Sequence, residues 1–356
     1  MNLKKLVFSA LFGVVFFTSC TDNDDAIIET PLGAYDNGVL ILNQGGFNKG
    51  NASISYLSED LNTFQNNIFA LVNPTIKLGD TGQDIGFYNE FAYIVLNGSN
   101  TIKIVNRYTM AYVATIATGL SNPRYIVFNN GKGYVSNWGN GSSTTDDYIA
   151  VINLSDNSLS APIQVAEGPE RMVISNNKLY VAQQGGFGFG STVSVINLST
   201  NVVSSIDVGD VPNSLEISGG TLYVLSGGKP SWTNSETAGK LSKINLSNDT
   251  VSGTIDFALT SHPSNLKISN SDLFYTVDSD IFKTTVTAST LPTAALFSTT
   301  AQGVYGVYSF KVQNEKIYVG DAGDYNSDGK VHVYSLTGNL ESSKTVGVIP
   351  AGFYFN

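Results

Sequence analysis

Cysteine, histidine and charge are all scarce in this sequence, and each shortage removes a class of function. A single cysteine, Cys20, rules out an intramolecular disulfide. The only two histidines, His262 and His332, offer no cluster with metal-ligand spacing, and no nucleophile, base and orienting acid can be nominated together. The expectation is therefore a protein that is not an enzyme and carries no metal or cofactor. Only 13% of the residues are charged and the net charge is −10, a sign that repels a phosphate backbone and makes nucleic acid an unexpected partner. Long apolar runs are missing as well. The one at residues 6–17 is too short for a comfortable membrane-spanning helix.

That run belongs to a leader. Lys4 and Lys5, the apolar stretch and then Thr18 and Ser19 form the charged, apolar and small-residue sections of a secretory signal. Cys20 follows the small residues directly, which predicts cleavage before it and acylation on it, although Phe17 stands where an aliphatic residue is usual. Residues 1–19 are then the signal peptide, and residues 20–37 an acylated cysteine with a flexible acidic tether. The run Thr21-Asp22-Asn23-Asp24-Asp25 resembles the surface-export signal of Bacteroidetes lipoproteins. A lipid-anchored, surface-exposed outer-membrane protein is expected, touching the membrane through its anchor only.

What the chain has in quantity is glycine (35), tyrosine (18) and phenylalanine (19), the residues that short twisted strands and tight turns use. They are arranged in a repeat. Aligning Leu40, Tyr93, Tyr134, Tyr180, Tyr223, Phe274 and Tyr318, each in a short apolar strand, gives spacings of 53, 41, 46, 43, 51 and 44 residues. One four-stranded blade takes roughly 40 to 50. Ile-Asn-Leu-Ser recurs from Ile152, Ile196 and Ile244, each time closing a third strand ahead of Asn- and Asp-rich turns. The innermost strands also match one another, starting at Pro123, Pro169, Pro212 and Pro263, where proline costs no ladder donor.

The fold class is all-β: a seven-bladed β-propeller spanning residues 38–356, with no helix expected after the leader. Only six innermost strands precede their partners, because the first apolar strand at Val39 has none ahead of it. Residues 349–355, Ile-Pro-Ala-Gly-Phe-Tyr-Phe, have the missing form. The C-terminal strand is expected to return and complete the first blade, which leaves no open edge in the ring.

In a propeller, loops joining second to third strands and loops joining blades open on one face. The unusual residues lie there: Phe47, Trp138, Phe187, Phe189, Trp232 and Tyr325 in the former set, with Arg124, Arg171, His262 and Tyr305 around the channel mouth. Rings on glycine-rich loops offer large, stiff surfaces suited to a bulky ligand. Arg124 and Arg171 suit a carboxylate or phosphate, though arginine–glutamate pairing between blades is an equal alternative and the expected role of Glu170. Residues 324–329 match the first half of a calcium loop. The twelfth position is Ser335 rather than glutamate and no helices flank it, so a hairpin turn is expected.

Several of these words together carry a family likeness. Asn43-Gln44-Gly45-Gly46, residues 51–56, Leu78-Gly79-Asp80-Thr81-Gly82-Gln83-Asp84-Ile85, Pro123-Arg124-Tyr125-Ile126, residues 131–135 and Asp321-Ala322-Gly323-Asp324-Tyr325 resemble the YncE-type seven-bladed surface lipoproteins of Bacteroidetes. The likeness covers nearly all of the mature chain, and its words are strand and turn residues. That group includes BtuG-like proteins, which capture cobalamin and pass it to a TonB-dependent outer-membrane transporter. The resemblance implies a surface protein that binds a small molecule, with corrinoid as the best-understood case. A lactonase-like hydrolase and a scaffold for protein or glycan are the alternatives.

Overall fold

The computed structural model describes residues 31–356, so the leader, Cys20 and the acidic run after it lie outside the described residues. Seven four-stranded antiparallel sheets form the ring of a seven-bladed β-propeller. The second strand of each blade is the apolar run found in the sequence, and in Phe91–Leu96 every residue after the first is buried. Burial fades outward: Val203–Asp207, the outermost strand of blade four, is mostly exposed. An apolar second strand with a polar outer strand is what a blade covered on both flat faces by its neighbours requires.

The buried side chains form seven separate clusters, each between two adjacent blades. Leu40, Ile54, Ile85 and Ile94 lie between blades one and two. Val39, Tyr318, Val331 and Phe353 lie between blades seven and one. Stability is therefore spread around the ring, and each blade depends on both neighbours.

Closure follows the sequence expectation. Pro350–Phe355 pairs antiparallel with Gly38–Asn43, with Leu40 opposite Tyr354 and Ile41 opposite Phe353. The chain end is clasped from blade two: Arg107 donates from Nη2 to the Phe355 carbonyl (3.0 Å) and from Nε to Asn356 Oδ1 (2.7 Å). The packed domain starts upstream of residue 38, because Tyr35 is buried and its amide donates to the Tyr108 carbonyl (2.9 Å). One short helix, Ile68–Val72, interrupts the all-strand expectation in the connection from blade one to blade two.

Six of the innermost strands carry a register shift just after they begin, at Gly82/Asp84, Pro123/Ile126, Pro169/Met172, Pro212/Ser214, Ser264/Lys267 and Pro350/Gly352. A bulge frees an amide and re-aims the side chains beside it. Neighbours take up those amides: Asp84 Oδ2 accepts from Ile126 N (3.0 Å), and Ser214 Oγ accepts from Leu266 N (3.2 Å). The re-aimed side chains line the channel.

Candidate functional site

The loops of the expected face are braced by side chains rather than left loose. Asp80, in the connection from blade one to blade two, accepts from Asn48 N (2.9 Å) and Gly50 N (3.3 Å), which fixes the loop carrying Phe47. In the Phe187 and Phe189 loop, Gly185 and Gly186 both take positive φ, and a Cβ on Gly168 would sit 1.9 Å from the Gly186 amide, so only glycine permits that approach. The Trp232 loop is pinned by the Lys229–Asp210 ion pair (3.4 Å) and by Thr237 Oγ1 donating to Asp210 Oδ2 (2.8 Å). His262 joins this bracing: Nδ1 contacts the Gly227 carbonyl at 2.9 Å and Nε2 contacts Glu236 Oε1 at 3.3 Å.

On these braced loops the aromatic rings stand in solvent. Phe187 is 81% exposed and Trp232 75%, with Phe47, Phe189, Tyr305 and Tyr325 also exposed. Together with half-buried Trp138, three of the rings form two pairs across three blades. Trp138 meets Phe187 edge-on at 5.8 Å, and Phe189, two residues on, meets Trp232 at 5.9 Å. On the other side of the mouth Tyr325 meets Tyr308 at 5.7 Å, and the Tyr308 hydroxyl donates to Gln44 Oε1 (2.6 Å) beside the Phe47 loop. Tyr305 makes no such ring contact among the described residues. Rings held this way expose apolar area at a cost of about 25 cal/mol per Å² that no neighbour relieves.

Arg124, Glu170, Arg171 and Asp84 sit on the innermost strands Pro123–Asn129, Pro169–Ser175 and Gly82–Tyr88 rather than in the blade-to-blade loops expected of them, whereas His262 and Tyr305 do lie in those loops. Arg124 is committed: Nε donates to Glu170 Oε1 at 2.7 Å and its guanidinium lies 4.3 Å from the Trp138 ring. This is the between-blade pairing expected of Glu170. Arg171 is one residue further along and points deeper, its guanidinium 4.6 Å from the Tyr125 ring. Burial pushes the Tyr308 hydroxyl up to about 12, so it stays a neutral donor at physiological pH.

Residues 324–327 form a turn whose carboxylate is used internally. Asp324 Oδ1 accepts from Asn326 N (2.9 Å) and Ser327 N (2.7 Å), and Oδ2 from Ser327 Oγ (3.0 Å). His332 is buried in a blade-seven strand, with Nδ1 against Ser343 Oγ (2.8 Å). A separate cleft of about 430 Å³ lies on the flank of blade one, lined by Ile54, Phe69, Asn73 and Ile76 and by none of the exposed rings. Sequence reasoning missed Tyr308, Gln44, Lys267 and Lys311. Gln44 lies in the Asn43–Gly46 word without being given a role of its own, Tyr308 carries no motif, and the lysines are single residues on separate blades.

No curated protein matches the chain. Among solved structures, a quinonprotein alcohol dehydrogenase-like protein of Bacteroides thetaiotaomicron aligns at TM-score 0.67 and 15% identity, over 90% of this chain and 78% of that one. A functionally unknown protein of Desulfotomaculum acetoxidans aligns at 0.64 and 13%, over 90% and 98%. Hydrazine synthase of Kuenenia stuttgartiensis aligns at 0.59 and 16%, over 76% and 88%. Identities this low show a shared fold alone. The family model described as "Domain of unknown function (DUF5074)" matches residues 37–355, and the chain belongs to that family.

Proposed function

We propose that this propeller is a capture protein, taking a bulky, largely rigid small molecule on its loop face without chemistry, and that the ligand is a corrinoid of the cobalamin class. The observation that carries the reading is the set of braced, exposed rings, Phe47, Phe187, Phe189, Trp232 and Tyr325, over one end of the channel. Loops tied down before binding lose little freedom when they bind, so apolar contact converts to affinity with small ordering cost. A corrinoid has apolar faces and an amide fringe. Rings for the faces, with Gln44, Asn48 and Asn140 on the same loops for the amides, match that division.

In this reading Cys20 holds the protein in the outer membrane, residues 22–25 direct it to the cell surface, and the captured ligand passes to a TonB-dependent transporter. The sequence likeness supplies the corrinoid and the transporter, while the loop face supplies the binding surface. Calorimetric titration of cyanocobalamin into the purified protein tests the ligand. A saturable heat with Kd of 1 μM or below, about −8 kcal/mol, is expected for rings acting together. No heat at 100 μM protein discards corrinoid and leaves the fold and the face as they stand.

A further inference from the structure

Beneath the mouth, the channel contains a chamber of about 120 Å³ lined by Asp84, Arg171, Lys267, Ser309, Lys311 and Tyr354. We propose that this chamber binds a small oxyanion of the phosphate class between Arg171, Lys267 and Lys311. The proposal goes beyond capture on the loop face and stands or falls without it.

Charge within the channel is the first reason. The innermost strands bring four cations together, Arg124, Arg171, Lys267 and Lys311, against three carboxylates, Asp84, Glu170 and Glu216. Glu170 is bonded to Arg124, and Glu216 to Lys267. Asp84 spends Oδ2 on the Ile126 amide (3.0 Å) and Oδ1 on the Tyr354 hydroxyl (2.9 Å). Among the described residues, no carboxylate lies within ion-pair distance of Arg171 or Lys311. Arg171 and Lys311 are half-buried, and although Asp84 favours the charge on both from beyond ion-pair distance, the channel keeps one more cation than carboxylate partly out of water, which is costly to hold. Burial pushes the Lys311 ammonium below its usual range and Lys267 pushes the same way, with Glu216 acting against them.

Donor geometry is the second reason. Arg171 comes from blade four, Lys267 from blade six and Lys311 from blade seven, so the donors converge on the axis from separate sides. The guanidinium offers a fork, and Lys267 keeps donors beyond the one given to Glu216. A tetrahedral oxyanion presents oxygens in as many directions, which a halide cannot. Size agrees, because one water needs only roughly 10–15 Å³ of such space.

The test uses the full-length protein purified in detergent, with sodium phosphate as the probe and sodium chloride at matched ionic strength as the control. Phosphate is expected to raise the melting temperature above the chloride value and to give a saturable heat. Lys311→Met removes the cation in excess of the channel carboxylates while keeping an unbranched stem of similar length. It is expected to melt higher than the parent in chloride and to bind phosphate at least tenfold more weakly. Should that variant fail to fold, Arg171→Gln is expected to show the same loss of phosphate affinity. Equal melting temperatures in phosphate and chloride, with no heat, would overturn the proposal, as would phosphate binding that persists unchanged in the substituted protein.

Discussion

Ending the chain at Ile349 removes the strand that closes the ring, and the structure gives the scale of the loss. Pro350–Phe355 covers Gly38–Asn43, in which every residue is buried, and the Phe353 and Phe355 rings pack 5.7 and 5.1 Å from Tyr318 of blade seven. A buried Phe→Ala change alone costs about 3–5 kcal/mol. Losing both rings, the ladder to the first blade and the Arg107 clasp together approaches the roughly 5–15 kcal/mol that holds a domain folded. Truncation is therefore expected to abolish cooperative melting by circular dichroism. Phe353→Ala should stay folded but melt lower, by roughly 6–10 °C at about 2 °C per kcal/mol for a domain this large. A truncated chain that melts like the intact one would refute the closure argument, because it would mean that the ring holds without its last strand.

Further outcomes follow from the loops and the leader. Burial raises the Asp147 carboxyl from 3.8 to about 6, Asp146 and Glu167 push the same way, and the Gly168 amide opposes them. A carboxyl raised on folding binds its proton more tightly in the native state, so this group weakens the fold above pH 6 and ceases to do so as the pH falls toward 4. Asp147→Asn keeps the acceptor for Gly168, and its melting temperature relative to the parent should be most favourable at pH 8 and decline steadily between pH 7 and 4; a pH-independent difference would contradict this. Asp80→Ala should free the Phe47 loop, seen as faster amide exchange at Asn48 and Gly50 with little change in melting temperature. Cys20→Ser should yield unlipidated, soluble protein by mass spectrometry and fractionation. Alanine at residues 22–25 should leave the lipid in place while reducing protease accessibility on whole cells.

The propeller was legible because its signals are local and repeated: an apolar second strand, a proline at or just before the start of five of the seven innermost strands and a recurring Ile-Asn-Leu-Ser. The returning C-terminal strand could be read because the count of innermost strands was one short. The helix Ile68–Val72 could not, since its five residues carry no capping side chain and begin after Asn67 in a left-handed conformation. The exposed rings were legible from their loops. Their pairing was not, because Phe187 and Phe189 turn to different neighbours, a matter of tertiary approach. Arg124 and Arg171 looked like a matched pair at the mouth. Only Arg124 takes the glutamate pairing, whereas Arg171 lies against the Tyr125 ring and lines the channel chamber, whose other cations, Lys267 and Lys311, come singly from blades six and seven.

The most direct measurement for the central claim is the affinity of cyanocobalamin for Trp232→Ala beside the parent protein. Trp232 touches only Phe189 among the described aromatic rings and is mostly in solvent, so its removal should leave the melting temperature unchanged. Trp138 is a poorer choice, because Arg124 and Phe187 lean on it. Capture by the ring-bearing face predicts a loss of about 2 kcal/mol or more, roughly thirtyfold in Kd. Tight binding that is undiminished in Trp232→Ala and in the further variant Phe187→Ala would contradict the account, and would put the ligand somewhere other than the loop face.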